Sequence, residues 1–177
     1  MQGIMRYLCL PLLAMFLLPM NGHALDQGLL LGYGFAELNN HASGGEVEGG
    51  KKYDFFQAAY FLEFPRWERT SFVLEPFAAY VSRPESGIDG GFDLLFRWYP
   101  FDRGRSGLFF DVGAGAAYTS IGFQEQGTHL LGILVGGIGW RYKAFFFEDR
   151  FRHYSNGHSA YPNRSVNANI ICAGMHF

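Results

Sequence analysis

The chain is 177 residues long, which is enough for one domain and too short for two ordinary ones. Its formal net charge of −2 gives no sign of the basic surface that nucleic-acid binding requires, so we expect no nucleic-acid partner. Aromatic residues make up 18% of the chain and there are 24 glycines, without any long apolar helix, a combination that favours an all-β protein.

The first 24 residues differ from the rest of the chain. Arg6 supplies a positive charge, an apolar run from Leu8 to Met20 follows, and Ala24 ends a short stretch with small residues at the positions that precede a cleavage site. The apolar run is too short to span a membrane and is typical of a secretory signal. We therefore predict a signal peptide over residues 1–24, cleaved after Ala24, and a single barrel domain over residues 25–177.

The chain has two cysteines, Cys9 and Cys172. Cys9 is removed with the predicted signal peptide, so the mature chain cannot form an internal disulfide although it is exported to an oxidising compartment. Its stability must come from other interactions.

Segments of alternating character recur along the mature chain, separated by turn-like clusters of residues. They predict eight strands, near residues 28–38, 52–64, 70–82, 88–100, 107–121, 127–142, 144–156 and 165–177.

One face of these strands is bulky and apolar, and the other is small or charged. In the fourth segment the bulky face is Phe92, Leu94, Phe96 and Trp98, and the opposite face is Gly91, Asp93, Arg97 and Tyr99. In the fifth, Asp111, Gly113, Gly115 and Ala117 oppose Leu108, Phe110, Val112, Ala114 and Tyr118. The first sets Leu29, Leu31, Tyr33 and Phe35 against Gly28, Gly32, Gly34 and Ala36.

This polarity distinguishes a membrane barrel from a soluble β-protein. A soluble sandwich or lipocalin-like barrel would bury the bulky face and leave a glycine-rich surface with few charges in water. A membrane barrel turns the bulky side chains to lipid and fills a narrow lumen with small and polar ones. We therefore predict an eight-stranded antiparallel outer-membrane β-barrel of a Gram-negative bacterium. Its lumen is expected to hold paired charges from Asp93, Arg97, Asp111, Glu148, Arg150 and Arg152.

The three tryptophans predict the orientation of the barrel. Trp67, Trp98 and Trp140 each lie beside the connection that follows an even-numbered strand, as an aromatic girdle at one membrane interface requires. Connections at that end are short, whereas those at the other end, such as residues 39–50 and 157–164, tend to be longer. We expect the short turns and both mature termini to be periplasmic. The terminal Phe177 resembles the assembly signal of outer-membrane proteins.

The segment from Phe145 to Asn167 is the one that predicts chemistry, since the familiar serine-hydrolase, metalloprotease and phosphate-binding signatures are absent. His153 and Ser155 are two residues apart on the seventh predicted strand and therefore share its lipid-facing side, as does Asp149, for which we find no explanation. A histidine beside a serine can activate the hydroxyl as a nucleophile. The spacing alone favours two polar residues that meet lipid headgroups at the interface, since His-x-Ser is a weak pattern.

The letters HYSN, followed by PN, on the penultimate strand of a small exported barrel resemble the PagL-type lipid A 3-O-deacylases. His153, Tyr154, Ser155 and Asn156 match the first part of that pattern, and Pro162 and Asn163 match the second. The resemblance implies an esterase that removes the 3-hydroxyacyl chain at position 3 of lipid A in the outer leaflet, with no metal and no cofactor. It also implies roles: Ser155 as nucleophile, His153 as general base, Asn156 as a stabiliser of the oxyanion and Asn163 as support from the loop.

The chain departs from this family at one position. Where the best-known members carry a glutamate that orients the histidine, this sequence has Asn167. The amide oxygen of asparagine can accept a hydrogen bond from imidazole, but it cannot stabilise imidazolium with a full charge. Asn169, Glu148 and Asp149 lack the spacing for this role, so Asn167 is the third predicted catalytic residue.

Two other classes of function remain open at this point. The first is a structural or adhesive barrel without chemistry, which would have no reason to place the histidine–serine pair, Asn156 and the later Pro–Asn pair together. The second is an acyltransferase or a phospholipase, although phospholipase barrels usually have more strands than this chain can form. The histidines show no ligand-like spacing, which argues against a metal site.

Overall fold

The computed structural model describes residues 25–37, 52–102, 104–121, 126–163 and 165–177. The predicted signal peptide over residues 1–24, and its cleavage site, lie outside the described residues, as does the predicted long connection at 39–50. Within the described ranges, no helix is long and apolar enough to cross a membrane.

The described residues form eight strands in one closed sheet. They are β1 (Asp26–Glu37), β2 (Lys52–Trp67), β3 (Thr70–Arg83), β4 (Gly87–Trp98), β5 (Gly107–Thr119), β6 (Leu130–Tyr142), β7 (Phe145–Ser155) and β8 (Val166–His176). Each strand pairs antiparallel with the next, and β1 also pairs with β8. Closure removes the edges of the sheet, so that every strand is paired on both sides, as a sheet in lipid requires. The predicted eight-stranded antiparallel barrel is confirmed.

The predicted strand boundaries differ from the observed ones by at most three residues. β2 continues past Pro65 to Trp67, because a register irregularity between these residues accommodates the proline, which has no N–H to donate. β6 begins at Leu130, three residues later than predicted. Thr128 and His129 instead form a turn, in which the backbone carbonyl of His129 accepts from the backbone N–H of Thr119 at 2.9 Å.

The outer face of the barrel carries the bulky apolar side chains, as predicted. The predicted outer residues of β1 are all exposed: Leu29, Leu31, Tyr33 and Phe35. On β4 the lumenal side chains of Asp93 and Arg97 are buried, while Phe92 and Trp98 on the opposite face are exposed. The side-chain polarity of the strands is thus that of a membrane barrel rather than of a soluble one.

The lumen differs in one respect from the expectation of small or charged residues. It also holds large aromatic rings, and four phenylalanines are fully buried there: Phe55, Phe61, Phe109 and Phe146. Glycines on the neighbouring strands make room for them. A Cβ atom at Gly34 would overlap the ring of Phe55, and one at Gly139 would overlap the ring of Phe109. The inward glycines therefore act as seats for aromatic rings, which alternation alone does not predict.

Three fully buried arginines organise the middle of the lumen. Arg97 donates two hydrogen bonds to Asp111, at 2.9 and 2.6 Å. Arg150 donates to Glu75 at 2.5 Å and to Glu148 at 2.8 and 2.9 Å. Arg152 donates to Asp93 at 2.5 Å. All six predicted lumenal charges are therefore buried and paired, and Glu63 and Glu75 join them without having been predicted.

The end of the barrel that carries Trp67, Trp98 and Trp140 is called the tryptophan end here. All three indole rings are exposed on the outer face. The connections β2–β3 and β6–β7 at this end comprise only residues 68–69 and 143–144. At the opposite end, called the loop end, the connections β5–β6 and β7–β8 are longer, although the β3–β4 turn is also short. The predicted periplasmic position of the tryptophan end stays a prediction.

Candidate active site

His153 and Ser155 lie at the loop end of β7, and the alternation of the strand places both on the outer face of the barrel wall. Their neighbours Arg152 and Tyr154 are buried in the lumen. The two outer side chains are half-buried. The wall of the barrel therefore separates the polar pair from the charged interior.

The His153 ring is held by Asn167, which lies directly opposite it on β8. The Nδ1 atom of His153 is 2.7 Å from the amide oxygen Oδ1 of Asn167. An amide oxygen can only accept a hydrogen bond, so Nδ1 must carry the proton and donate it. The second ring nitrogen, Nε2, then has a free lone pair. This is the tautomer that a general base needs.

The Ser155 hydroxyl projects from the same face of β7 as the His153 ring. Two residues of strand separate the two Cα atoms by roughly 6.6 Å, within reach of the two side chains. No hydrogen bond joins Ser155 to His153, both of which are among the described residues. Catalytic hydrogen bonds are often loose without substrate and tighten when it binds, so the spacing is compatible with a nucleophile and its base.

Small residues lie beside Ser155 on the outer face of the sheet. Gly132 of β6 is directly opposite Ser155, and Ala116 of β5 is opposite Gly132. Leu134, which faces His153 across the same strand pair, is exposed. The wall next to the hydroxyl is therefore low and apolar, and it leaves room for part of a substrate to lie against it.

The side chain of Asn156, for which the family resemblance implied stabilisation of the oxyanion, binds the backbone of two neighbouring loops. Its side-chain nitrogen donates to the backbone carbonyls of Gln126, Ala160 and Pro162 at 2.5, 3.1 and 3.0 Å. Its side-chain oxygen accepts from the backbone N–H of His158 at 2.8 Å. The side chain is buried and its donors and acceptor are all engaged. It therefore has no free donor for an oxyanion, and it holds the β7–β8 loop in place instead.

Asn163 is hydrogen-bonded to Asn156 through its side-chain oxygen, and its side-chain nitrogen is only weakly engaged. Its side-chain oxygen accepts from the backbone N–H of Asn156 at 3.0 Å. Its side-chain nitrogen has a long contact of 3.4 Å with Nδ1 of His158. The residue is half-buried. Of the two asparagines, Asn163 is thus the one with an amide donor that a ligand could recruit.

Sequence reasoning missed Gln126, which connects the β5–β6 loop to the site. Gln126 is buried, and its backbone carbonyl accepts the shortest of the Asn156 hydrogen bonds. Gly127 follows with a φ of +58°, and a Cβ atom there would strike the backbone of Tyr161. The two loops are therefore packed together. The only signal in the sequence was a Gln–Gly pair in a turn, which does not specify this contact.

Two further polar residues occupy the outer face of β7 and β8. Asp149 is exposed and lies between Ile138 and Ile171 on the neighbouring strands, as the alternation predicted. Asn169 is also exposed, and Phe151 is its partner on β7. Neither faces His153, which supports leaving them out of the catalytic set. Nothing in the structure explains the exposed carboxylate of Asp149.

Comparisons with known proteins agree with this fold. The crystal structure of the outer membrane enzyme PagL superposes with a TM-score of 0.61 at 14% sequence identity, covering 86% of this chain and 99% of that chain. The crystal structure of the outer membrane protein OprG from Pseudomonas aeruginosa is also 14% identical, with a TM-score of 0.45, over 90% of this chain and 99% of that one. No curated protein matches the chain.

A family model covers most of the barrel. The model described as Lipid A 3-O-deacylase (PagL) matches residues 52–176, which include every strand from β2 to β8. The match therefore contains the whole site, from Gln126 to Asn167. The chain belongs to the lipid A 3-O-deacylase (PagL) family of outer-membrane β-barrels.

Proposed function

We propose that this protein is an outer-membrane serine esterase that removes the 3-O-linked 3-hydroxyacyl chain from lipid A. The observation that carries the proposal is the hydrogen bond from His153 to Asn167, which orients the imidazole beside Ser155 on the outer face of the barrel. Family membership supplies the substrate class. The reaction needs no metal and no cofactor, since the nucleophile and the base are both side chains.

The reaction is a two-step acyl transfer. Nε2 of His153 takes the proton of the Ser155 hydroxyl as its oxygen attacks the ester carbonyl, and a tetrahedral oxyanion forms. The intermediate collapses to an acyl-serine, and His153 gives the proton to the departing 3-oxygen of lipid A. Water, deprotonated by the same nitrogen, then attacks the acyl-serine. The products are lipid A with a free 3-hydroxyl group and a free 3-hydroxy fatty acid, and Ser155 regains its proton.

Asn167 orients the base without adding charge. Its amide oxygen accepts a hydrogen bond from Nδ1 and so fixes the productive tautomer. In serine proteases, an asparagine in place of the aspartate produces the wrong tautomer, and the rate falls by about 10⁴-fold. It cannot neutralise the imidazolium that forms in the transition state. The proposed enzyme is therefore competent but slower than one with a carboxylate at this position.

Asn163 is the proposed oxyanion donor. Among the described residues its amide nitrogen has one contact, at 3.4 Å with His158, whereas the amide of Asn156 is fully engaged. A single donor of this kind is worth roughly 10²–10³-fold in rate in serine hydrolases. Asn156 acts one step further away, because it binds the loop that carries Asn163.

The substrate reaches Ser155 sideways from the membrane. The low apolar wall formed by Gly132 and Ala116 gives an acyl chain a surface to lie on, next to the hydroxyl. With the tryptophan end in the periplasm, as the girdle predicts, the loop end and Ser155 lie at the level of the outer leaflet. Both mature termini are then periplasmic.

The test is the mass of lipid A from a bacterium with a defined lipid A that expresses the protein. We expect the loss of one 3-hydroxyacyl group with the native chain and no loss with Ser155→Ala. Ser86→Ala is the matched control, since Ser86 is an exposed serine in the β3–β4 turn at the same end of the barrel. Unchanged lipid A from a correctly inserted native barrel would refute the proposal in favour of a non-catalytic structural barrel.

A further inference from the structure

A second polar cluster lies at the tryptophan end of the lumen, at the opposite end of the barrel from Ser155. It consists of Asp26, Glu63 and His176, which come from β1, β2 and β8. These are three adjacent strands of the closed sheet, with β1 in the middle. One nitrogen of the imidazole and one oxygen of each carboxylate all lie within 4.8 Å of one another.

His176 is a buried polar group whose ring nitrogens have no hydrogen-bond partner in the described part of the chain. Its residue is 7% exposed, and neither ring nitrogen makes a hydrogen bond among the described residues. The ring packs against Phe61 and Phe146, with centroid distances of 4.8 and 5.4 Å. Buried polar side chains are nearly always satisfied, so an imidazole with two unused nitrogens beside two carboxylates points to a missing ligand.

The two carboxylates are also held more loosely than those elsewhere in the lumen. Glu63 is fully buried, yet its contacts with Tyr99, Arg97 and Arg141 measure 3.3, 3.5 and 3.7 Å. The contacts from Arg141 to Asp26 are both 3.4 Å. The lumenal arginines reach their main carboxylate partners at between 2.5 and 2.9 Å. Charge-assisted hydrogen bonds are normally that short, so the acidic pair here has coordination to spare.

We propose that Asp26, Glu63 and His176 form a Zn²⁺ site. One imidazole nitrogen and two carboxylate oxygens are ligands that Zn²⁺ accepts, with water in the fourth position. Zinc bonds to nitrogen and oxygen are about 2.0–2.1 Å long, so the ligand atoms of a tetrahedral site lie about 3.3 Å apart. Side-chain rotations that move these atoms by an ångström or so would complete the site. Ca²⁺ and Mg²⁺ would leave the nitrogen unused because they prefer oxygen ligands.

Two arginines, Arg141 and Arg105, lower the affinity of this site for Zn²⁺ because they compete for its carboxylates. Arg141 faces both carboxylates, and Arg105 is 4.0 Å from Asp26. Arg97 is already engaged by Asp111. Zn²⁺ must displace the guanidinium of Arg141 from the carboxylates, and binding is therefore reversible and sensitive to chelators.

The ion would join the first and last strands of the barrel. β1 and β8 are paired over residues 28–35 and 169–176, a shorter stretch than the pairing of β1 with β2 over residues 26–37. Asp26 and His176 lie at the tryptophan end of this seam. An ion bound between them adds a link where the sheet closes, and the site is structural rather than catalytic.

The experiment uses the untagged mature chain folded in detergent and Zn²⁺ as the probe. After ZnCl₂ is added and the excess is removed by gel filtration, we expect about one zinc per barrel by atomic absorption. The temperature at which the folded band on SDS gels converts to the unfolded band should rise with Zn²⁺ and not with Mg²⁺. Asp26→Asn, at the half-exposed rim, and His176→Asn should each lose both effects.

Matched controls come from the loop end. Glu85→Gln and His129→Ala remove an exposed carboxylate and an exposed imidazole there and should leave zinc content unchanged. His176→Asn alters the last strand and could fail to assemble, in which case Asp26→Asn decides the matter. Retention of zinc by Asp26→Asn, or a native barrel that keeps no zinc, would overturn the proposal. Neither readout depends on esterase activity.

Discussion

The two sides of β7 carry contrasting polar groups. On the lumenal side, Arg150 and Arg152 are fully buried and bind several acceptors at distances down to 2.5 Å. On the outer side, His153 makes one hydrogen bond to Asn167, and Ser155 is not bound to it. One strand therefore carries a network with saturated hydrogen bonds on its lumenal side and the proposed reactive pair on its outer side.

The largest expected effect is on activity, when the proposed base on the outer side of β7 is removed. His153→Ala is expected to lower deacylase activity by at least about 10³-fold, because Ser155 loses its proton acceptor. The barrel should stay equally stable, since the histidine makes no lumenal contact. Lipid A deacylation and urea unfolding, measured on the same preparation, check both parts. A parallel fall in stability would mean that the outer pair is part of the scaffold.

Removal of a lumenal arginine should lower the stability of the barrel and leave its activity nearly unchanged. Arg150→Met leaves Glu75 and Glu148 buried without their guanidinium, and we expect a loss of roughly 3–5 kcal/mol in the free energy of unfolding. Activity per folded barrel should change little. Arg69→Met is the matched control, because that arginine is exposed and its 3.1 Å hydrogen bond to the backbone carbonyl of Pro100 should contribute only about 1 kcal/mol. Equal losses in the two variants would contradict the distinction between lumen and rim.

Substitutions of the two loop asparagines, Asn156 and Asn163, should have different effects on kcat and on proteolysis of the loop. Asn163→Ala is expected to lower kcat by roughly 10²-fold while the loop stays folded, as loss of an oxyanion donor does. Asn156→Ala removes four hydrogen bonds and should open the β7–β8 loop to cleavage by proteinase K. If Asn156→Ala slowed the reaction without any change in cleavage, Asn156 and not Asn163 would be the donor.

The smallest expected change is a gain. Asn167→Glu should raise deacylase activity by about tenfold, because a carboxylate opposite His153 stabilises the imidazolium of the transition state. Asn169→Glu adds the same charge to the same face of β8, but Phe151 is its partner on β7, and it should give no gain. A gain in both variants would indicate a general effect of negative charge on the substrate.

Much of the barrel was predictable because its pattern is local. Outward Leu29, Phe92 and Trp98 alternate with inward Asp93 and Arg97, so the sequence alone indicates which face each side chain takes and, from the inverted polarity, that the outside is lipid. Eight such segments predict the barrel. The inward aromatic rings were missed, since a glycine that seats a ring lies on a neighbouring strand and not beside that ring in the sequence.

The candidate site was predictable for the same reason in part. His153 and Ser155 are close in sequence, and Asn167 follows on the next strand. The hydrogen bonds of Asn156 depend on the tertiary structure. Its amide is engaged by carbonyls of two loops, including that of Gln126, 30 residues earlier in the chain. No local pattern distinguishes an asparagine that binds loops from one that binds an oxyanion.

Period-2 alternation and short spacings follow from the geometry of a strand, so the fold class, the two faces of each strand and the proposed histidine–serine pair could all be predicted without the structure. Barrel closure brings His176, from the last strand, beside Asp26 and Glu63, from the first two strands, and the three became neighbours when β8 paired with β1. Histidine spacing gave no sign of a metal site, because barrel closure rather than sequence proximity supplies its ligands.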